Sequence, residues 1–160
     1  MMHNLEISIV KCEIGSILIY SNTSNPRVCE RIEFLDDMLE ETQENLFTSQ
    51  IREYLESSRR VIDFPVKYKN GSKFAYILEK LRETVSYGRI TTYGELARLC
   101  QTTPRVVGFA MAYNPLPLYF PCHRVVGKQS LGGFGGRANN IQKIDGLKWK
   151  KYLLDLEGSI

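Results

Sequence analysis

Hydrophobic and polar residues follow a strand-like pattern at the start of the chain. Apolar side chains recur at alternate positions in Leu5–Lys11, and Ile17–Tyr20 is a short apolar run. The turn Glu13-Ile14-Gly15-Ser16 separates these two segments, so the pattern predicts a β-hairpin. A third predicted strand covers Val28–Leu35, and the acidic segment Asp36–Glu44 that follows it is expected to be exposed.

The spacing of apolar residues then changes to a helical period. A predicted amphipathic helix begins at Thr48/Ser49, and its apolar face carries Phe47, Ile51, Tyr54 and Leu55. No chemically distinctive motif occurs in this part of the chain, so we interpret it as a small supporting β-sheet with one helix. The stretch from Phe64-Pro65 to Asn70-Gly71 is the predicted linker, which divides the chain into residues 1–68 and 69–160.

The second half of the chain is predicted to be mainly helical. Its predicted helices cover about Lys73 to Ser86, Tyr93–Cys100, Arg105–Tyr113 and Trp149–Leu156. Gly88 suits a left-handed cap after the first helix, Thr91/Thr92 start the second, and Thr103 followed by Pro104 starts the third. On the second helix, Leu96, Ala97 and Leu99 are expected to face inward. The tight turn between the second and third helices predicts a helix-turn-helix, a pattern that occurs with and without DNA binding.

Charge is distributed unevenly between the two halves of the 160-residue chain. Residues 1–72 hold 12 acidic and 8 basic side chains, whereas residues 73–160 hold 6 acidic and 13 basic ones, within a net charge of +3. A basic half favours contact with a polyanion. No run of apolar residues is long enough to span a membrane, and no signal peptide is predicted, so we expect a cytoplasmic protein without a membrane partner.

The four cysteines are widely spaced and form no CxxC pair. This spacing favours a reducing cytosol over a disulfide framework, although a Cys12–Cys29 bridge stays open at this point. His3, Cys12 and Cys29 are the candidate metal ligands of the first half, but they lack ligand spacing, so no metal site is predicted. Cys100 is interpreted as a packing residue.

The most distinctive stretch is Asn114-Pro-Leu-Pro-Leu-Tyr-Phe-Pro-Cys-His-Arg-Val-Val126. Three prolines fix the backbone on the way to Cys122, and the intervening residues are mainly apolar, so the segment is expected to be rigid and buried. His123 and Arg124 follow the cysteine directly, and adjacent cations lower the pKa of a thiol. A core cysteine in a buried turn is the alternative, but the two adjacent cations favour an activated nucleophile.

Pro121-Cys-His-Arg-Val-Val126 resembles the active-site signature of the O6-alkylguanine-DNA alkyltransferases. Further segments match that family in the same order, over about residues 74 to 158: Gly88-Arg-Ile-Thr-Thr-Tyr-Gly-Glu-Leu-Ala97, Pro104-Arg-Val-Val-Gly108, Met111, Asn114-Pro115 and Leu156-Glu-Gly158. The resemblance implies an α+β fold, with an RNase H-like domain of β-sheet plus helix followed by a mainly helical, winged helix-turn-helix-like domain. It also implies a monomer that binds double-stranded DNA containing O6-alkylguanine.

The implied reaction is the irreversible, single-turnover transfer of an alkyl group from flipped-out O6-alkylguanine to Cys122, without a cofactor. O4-methylthymine stays open as a second substrate. By resemblance, His123 and Glu157 complete a Cys–water–His–Glu relay, Tyr93 hydrogen-bonds the leaving guanine, and Asn114 ties the active-site turn to the helix-turn-helix. Arg105 matches the arginine that fills the gap left by the flipped base. The remaining expected DNA contacts are Thr92, Gly94, Thr103, Met111, Arg124, Phe134 and Gly135.

The sequence departs from the family pattern in the glycine-rich segment Leu131-Gly-Gly-Phe-Gly-Gly136. Phe134 and Gly135 replace residues that often carry hydroxyl groups, which leaves the base selectivity open, and the additional residues Ala138–Gly146 have no assigned role. Two other classes of protein fit the sequence less well. A lesion sensor of this fold lacks the acceptor cysteine, whereas Cys122 is present here. A helix-turn-helix regulator would have no use for His123 and Glu157.

Overall fold

The computed structural model describes residues 4–132 and 144–160, which begin with a three-stranded antiparallel sheet. Its strands are β1 (Leu5–Cys12), β2 (Gly15–Asn22) and β3 (Cys29–Leu35), in the order β1-β2-β3. The predicted hairpin is therefore confirmed, with Cys12 opposite Gly15 at the turn. The third predicted strand is also confirmed and pairs with β2.

Helix α1 (Leu46–Leu55) follows the sheet. Asn45 caps it, because the Asn45 side chain accepts hydrogen bonds from the backbone of Phe47 and Thr48. The helix thus begins before the predicted Thr48/Ser49 start, and Thr48 lies inside it as the second member of a capping box. Ile51 and Tyr54 are buried, as their spacing predicts.

The predicted linker is wrong in its first part, because residues 64–68 pack against the sheet. Phe64 is buried in the core, and Val66 forms a parallel bridge with Cys29 at the edge of β3. The backbone N–H of Cys29 donates to Pro65, and that of Lys67 donates to the carbonyl of Cys29. Sequence reasoning missed this because a proline shortly before Asn70-Gly71 is typical of a loop, whereas the pairing depends on an edge strand far away along the chain.

The described part of the second half contains four further helices. They are α2 (Lys73–Thr84), α3 (Tyr93–Leu99), α4 (Pro104–Ala112) and α5 (Gly146–Leu156). Thr92 and Thr103 cap α3 and α4 as predicted, with Pro104 as the first residue of α4. The expectation for Leu99 is wrong, because 48 % of this side chain is exposed, whereas Leu96 and Ala97 are buried.

Two hydrophobic clusters hold these elements together. The first joins the sheet and α1 to Leu116, Leu118, Phe120 and α5, so it contains residues from both sides of the predicted boundary at residue 68. Phe34 of β3 and Trp149 of α5 meet in it, with ring centroids 4.8 Å apart. The second cluster lies among α2, α3 and α4 and includes Cys100, in agreement with its interpretation as a packing residue. The observed architecture is the mixed α+β class expected from the sequence, and within the described ranges we find no helix with the length and apolar character of a membrane span.

Candidate active site

The residues Cys122–Arg124 form a single 3-10 turn between Pro121 and a short strand, β5 (Val125–Val126). Strand β5 pairs in parallel with β4 (Thr91–Thr92), which directly precedes α3. This pairing places the start of the helix-turn-helix beside the cysteine turn. Two segments that lie about thirty residues apart along the sequence are thereby joined by backbone hydrogen bonds.

Asn114 fixes the approach to this turn, as its position directly after α4 suggests. Its side-chain Nδ2 donates to the carbonyl of Phe120 at 2.9 Å, and its Oδ1 accepts from the backbone N–H of Leu116 at 3.0 Å. Asn114 is buried, so both bonds are protected from water. The proline-containing loop is thus tied to the C-terminal end of the helix-turn-helix.

The Cys122 thiol lies almost completely inside the protein. Burial raises the pKa of Cys122, whereas a hydrogen bond from the Asn114 side chain and the charge of Lys150 lower it, and the net direction is upward. The resting residue is therefore a protonated thiol. This corrects the expectation that adjacent His123 and Arg124 hold it as a thiolate, because both of those side chains point to another partner.

That partner is Glu157, at the C-terminal end of α5. His123 Nε2 lies 2.7 Å from Oε2 of Glu157, and both side chains are buried. Since a carboxylate can only accept, Nε2 carries the proton, and in the neutral ring Nδ1 is then the acceptor. Within residues 4–132 and 144–160, no atom hydrogen-bonds to His123 Nδ1. Burial lowers the pKa of His123 despite the bond to Glu157, so the resting imidazole is neutral.

Glu157 accepts hydrogen bonds from His123 and from three further groups in different parts of the fold. Arg124 contacts both carboxylate oxygens, with Nε 2.9 Å from Oε1 and Nη2 3.0 Å from Oε2. The backbone N–H of Gly88 donates to Oε1 at 3.3 Å, and the Tyr54 hydroxyl donates to Oε2 at 2.6 Å. Burial alone would raise the pKa of Glu157, but hydrogen bonds from His123 and Arg124 hold it well below its usual range.

Arg124 itself is therefore not available as a DNA contact, which corrects that expectation. Its side chain is buried, and its remaining nitrogen, Nη1, donates to the carbonyl of Val85 at 2.8 Å. Only the family resemblance had placed Arg124 among the expected DNA contacts. In the structure, Arg124 neutralises a buried carboxylate instead.

Lys150 is a residue of this site that sequence reasoning missed. The side chain is fully buried on α5, and its Nζ donates to the carbonyl of Val125 at 2.6 Å and lies 5.7 Å from the centroid of the Tyr93 ring. Burial lowers its pKa to about 8, while the nearby Cys122 raises it. A signal did exist in the sequence: Lys150 and Glu157 lie on the same helical face as Leu153 and Leu154, and charged residues on a buried face are candidates for function.

The expected DNA-contacting residues lie on or beside α3 and α4. Arg105 is exposed near the start of α4, with its guanidinium 5.8 Å from the ring centroid of Phe109 one turn further on. The hydroxyl groups of Thr92 and Thr103 accept from the backbone as helix caps, and Met111 is half-buried between the two hydrophobic clusters. Gly94 lies in the first turn of α3. Phe134 and Gly135 fall outside the described residues.

Tyr93 is half-buried and contacts the beginning of the glycine-rich segment. A Cβ atom on Gly132 would lie 2.7 Å from the Tyr93 hydroxyl and 2.9 Å from its Cε2, and Gly132 has a φ of +77°. Only glycine fits both the backbone conformation and the close approach. The segment therefore starts against the hydroxyl end of Tyr93.

The other cysteines take no part in this arrangement. All four cysteines are free thiols, which answers the open question about Cys12 and Cys29. Among the residues that the structure describes, no three His, Cys, Asp or Glu side chains are grouped to hold a metal ion. His3 lies outside the described residues, so the absence of a metal site stays a prediction.

These features define a thiol-centred site at the start of a helix-turn-helix, and comparison with known proteins identifies its family. The family model of the DNA-binding domain of 6-O-methylguanine DNA methyltransferase matches residues 74–159. A methylated-DNA–protein-cysteine methyltransferase of Archaeoglobus fulgidus is 38 % identical over 112 residues, covering 70 % of this chain and 74 % of that protein. The chain belongs to the 6-O-methylguanine DNA methyltransferase family.

Solved structures agree over nearly the whole chain. The crystal structure of Mycobacterium tuberculosis O6-methylguanine methyltransferase has a TM-score of 0.74 at 25 % identity and covers 98 % of this chain and 94 % of its own. Mycobacterium tuberculosis OGT in complex with DNA has a TM-score of 0.71 at 26 % identity, with 96 % of this chain and 92 % of its own covered. The similarity thus includes the N-terminal half, which the family model leaves unmatched.

Proposed function

We propose that this protein repairs DNA by direct reversal, transferring an alkyl group from O6-alkylguanine to Cys122 in a single turnover. The observation that carries the proposal is the buried Cys122 thiol next to a neutral His123 that is oriented by Glu157. A thiol beside an oriented base is the arrangement of an activated nucleophile. The family membership supports alkyl transfer, and the DNA complex of a similar protein supports DNA as the partner.

In the proposed step, the sulfur of Cys122 attacks the alkyl carbon while the bond from that carbon to O6 breaks. The thiol proton passes through a water molecule to His123 Nδ1, the nitrogen that is free to accept. Glu157 compensates for the charge of the resulting imidazolium in the buried site, and Arg124 holds that carboxylate ionised and in place. Lys150 stabilises the negative charge that develops on sulfur.

The guanine leaves with the electron pair of the broken bond and takes up one proton, so the overall reaction turns thiol and alkylguanine into thioether and guanine. Tyr93 is the proposed donor to the leaving base, with Lys150 close to its ring. A thioether is stable to water, so the protein acts once. O4-methylthymine is the further substrate to be tested, since its alkyl group is carried on an exocyclic oxygen in the same way.

The target atom lies inside the base stack, so the proposal requires the nucleotide to rotate out of the duplex, at a cost of a few kcal/mol. Arg105 is the proposed replacement in the stack, which its exposure at the start of α4 supports. In this scheme, α3 and α4 form a winged helix-turn-helix-like unit used from the minor groove. The N-terminal sheet and α1 correspond to an RNase H-like support, and a monomer in the cytoplasm suffices for the reaction.

The test is the loss of O6-methylguanine from a duplex oligonucleotide mixed with excess protein. Wild type is expected to remove the lesion completely, and Cys122→Ala is expected to remove none while still binding the duplex. Cys100→Ala is the matched control, because it removes a second buried thiol from the same half of the chain. Binding without removal by the wild-type protein would favour a lesion sensor and contradict the proposal.

A further inference from the structure

Tyr54 connects the N-terminal half directly to the candidate active site. The residue lies on α1, only 2 % of it is exposed, and its hydroxyl donates to Oε2 of Glu157 at 2.6 Å across 103 positions of sequence. Its ring packs edge-on against Tyr87, with the centroids 6.1 Å apart. Tyr54 lies outside the residues matched by the family model, which begins at residue 74.

The position of this hydrogen bond matters because Tyr54 and His123 share one carboxylate oxygen. Both groups donate to Oε2 of Glu157, at 2.6 Å and 2.7 Å. Arg124 Nη2 is a third donor to this oxygen, at 3.0 Å. Donors to one oxygen compete for the same electron density, so the Tyr54 bond weakens the bond from Oε2 to the His123 proton. Burial and the Glu157 charge both raise the pKa of Tyr54 well above its ordinary value, so the hydroxyl stays protonated and remains a donor.

We propose that Tyr54 is a positioning residue for alkyl transfer, whose hydroxyl orients Glu157 and limits how strongly this carboxylate draws the proton of His123. The inference rests on the proposed function, in which neutral His123 accepts the thiol proton. The N-terminal half then contributes to the chemistry as well as to the support of the fold.

The direction of the pH effect follows from the groups that face His123. Glu157 favours the imidazolium, Arg124 and Lys150 oppose it, Cys122 lies next to it in the turn, and Tyr54 acts through Glu157. Without the Tyr54 hydroxyl, Oε2 becomes a stronger acceptor, which stabilises the imidazolium and raises the pKa of His123. Since the reaction needs the neutral ring, the acid limb of the rate profile moves to higher pH.

The experiment measures the rate of transfer from free O6-benzylguanine against pH for wild type and Tyr54→Phe, with thermal melting in parallel. Tyr68→Phe is the matched control, because it also removes a bond from a tyrosine hydroxyl to a carboxylate, that of Glu79, away from the site. The acid limb of Tyr54→Phe is expected to move up by about 0.5 pH units, so the rate on that limb falls about threefold. The control is expected to follow wild type.

A second variant keeps the test decisive if Tyr54→Phe is poorly folded. Site-specific 3-fluorotyrosine at position 54 retains the shape and the hydrogen bond but is a stronger donor, so it is expected to move the acid limb to lower pH. An unmoved limb in both variants, or a shift equal to that of Tyr68→Phe, overturns the inference. Absence of transfer in the wild-type protein, with free base and methylated duplex alike, refutes the proposed function instead.

Discussion

Replacement of Lys150 by methionine tests whether a lysine ammonium is indeed held inside the site. The substitution keeps a long unbranched side chain on the buried face of α5 but removes the charge and the hydrogen bond to Val125. Burial lowers the pKa of Lys150 in the folded protein from an ordinary 10.5 to about 8. In the unfolded chain, the same group keeps its proton up to its ordinary value.

The sign and size of the effect follow from proton linkage. Between pH 8 and 10.5 the unfolded lysine is protonated and the folded one is not, so the unfolded state binds more protons and stability rises with pH. One pKa unit corresponds to about 1.4 kcal/mol, so Lys150 contributes a rise of about 3 kcal/mol across this window. Below about pH 8 the ammonium is charged in both the folded and the unfolded state, so the free energy of burying it no longer changes with pH.

The assay is urea denaturation of wild type, Lys150→Met and Lys151→Met at about pH 7 and about pH 10. Lys151 is exposed, so its substitution controls for the loss of one positive charge. The stability of wild type relative to Lys150→Met is expected to increase by about 2.5 kcal/mol over this interval, and relative to Lys151→Met to stay constant. Tyr20 and Tyr68, whose pKa values are raised to about 12, affect all three proteins equally. A difference that does not change with pH would refute the buried charge.

Three further predictions concern Arg105, Gly132 and Glu157. Arg105→Ala is expected to weaken binding to duplex DNA about tenfold and to slow repair of the duplex. Transfer from free O6-benzylguanine is expected to stay unchanged, because a free base has no stack to leave. Arg89→Ala, which removes another exposed arginine, is the control, and equal losses on both substrates would assign Arg105 a structural role. Gly132→Ala and Gly71→Ala both place a side chain at positive φ, and each is expected to lose about 1 kcal/mol of stability. Only Gly132→Ala is expected to slow transfer, because its Cβ meets Tyr93, whereas nothing lies within 4 Å of a Cβ at Gly71. Equal transfer rates in the two variants would contradict the contact with Tyr93. Glu157→Gln is expected to lower stability by about 3–5 kcal/mol at neutral pH, since it leaves buried Arg124 without its charge partner. Because the pKa of Glu157 is lowered in the folded protein, its contribution to stability is present above the unfolded pKa of about 4.3 and is lost as pH falls. An acid-denaturation profile that is identical in wild type and Glu157→Gln would contradict this prediction.

Local chemistry accounts for the parts of the fold that the sequence predicted. The strands and helices follow from the spacing of apolar residues, and the starts of α3 and α4 follow from the hydroxyl groups of Thr92 and Thr103, whose caps need only neighbouring backbone. Cys122 was recognised for a similar reason, because three prolines and two adjacent basic side chains all occur within one short segment.

The parts that could not be predicted depend on contacts between distant segments. Tyr54 was assigned to an apolar face, which is correct, but its partner Glu157 lies 103 residues away. The orientation of Arg124 depends on the end of α5, and the pairing of Val66 with Cys29 depends on an open sheet edge. Periodicity shows which face of an element is buried, but it does not show what that face meets.

The most direct test of the central claim is to find where the alkyl group goes. After incubation with O6-methylguanine duplex DNA, the protein is digested with trypsin, which places each of the four cysteines on a different peptide, with Cys122 on residues 106–124. The predicted result is a gain of about 14 Da, one methyl group in place of one thiol hydrogen, on that peptide alone and at one group per protein molecule. A methyl group on the peptide of Cys12, Cys29 or Cys100, or a repaired duplex with no added mass on the protein, would contradict the account.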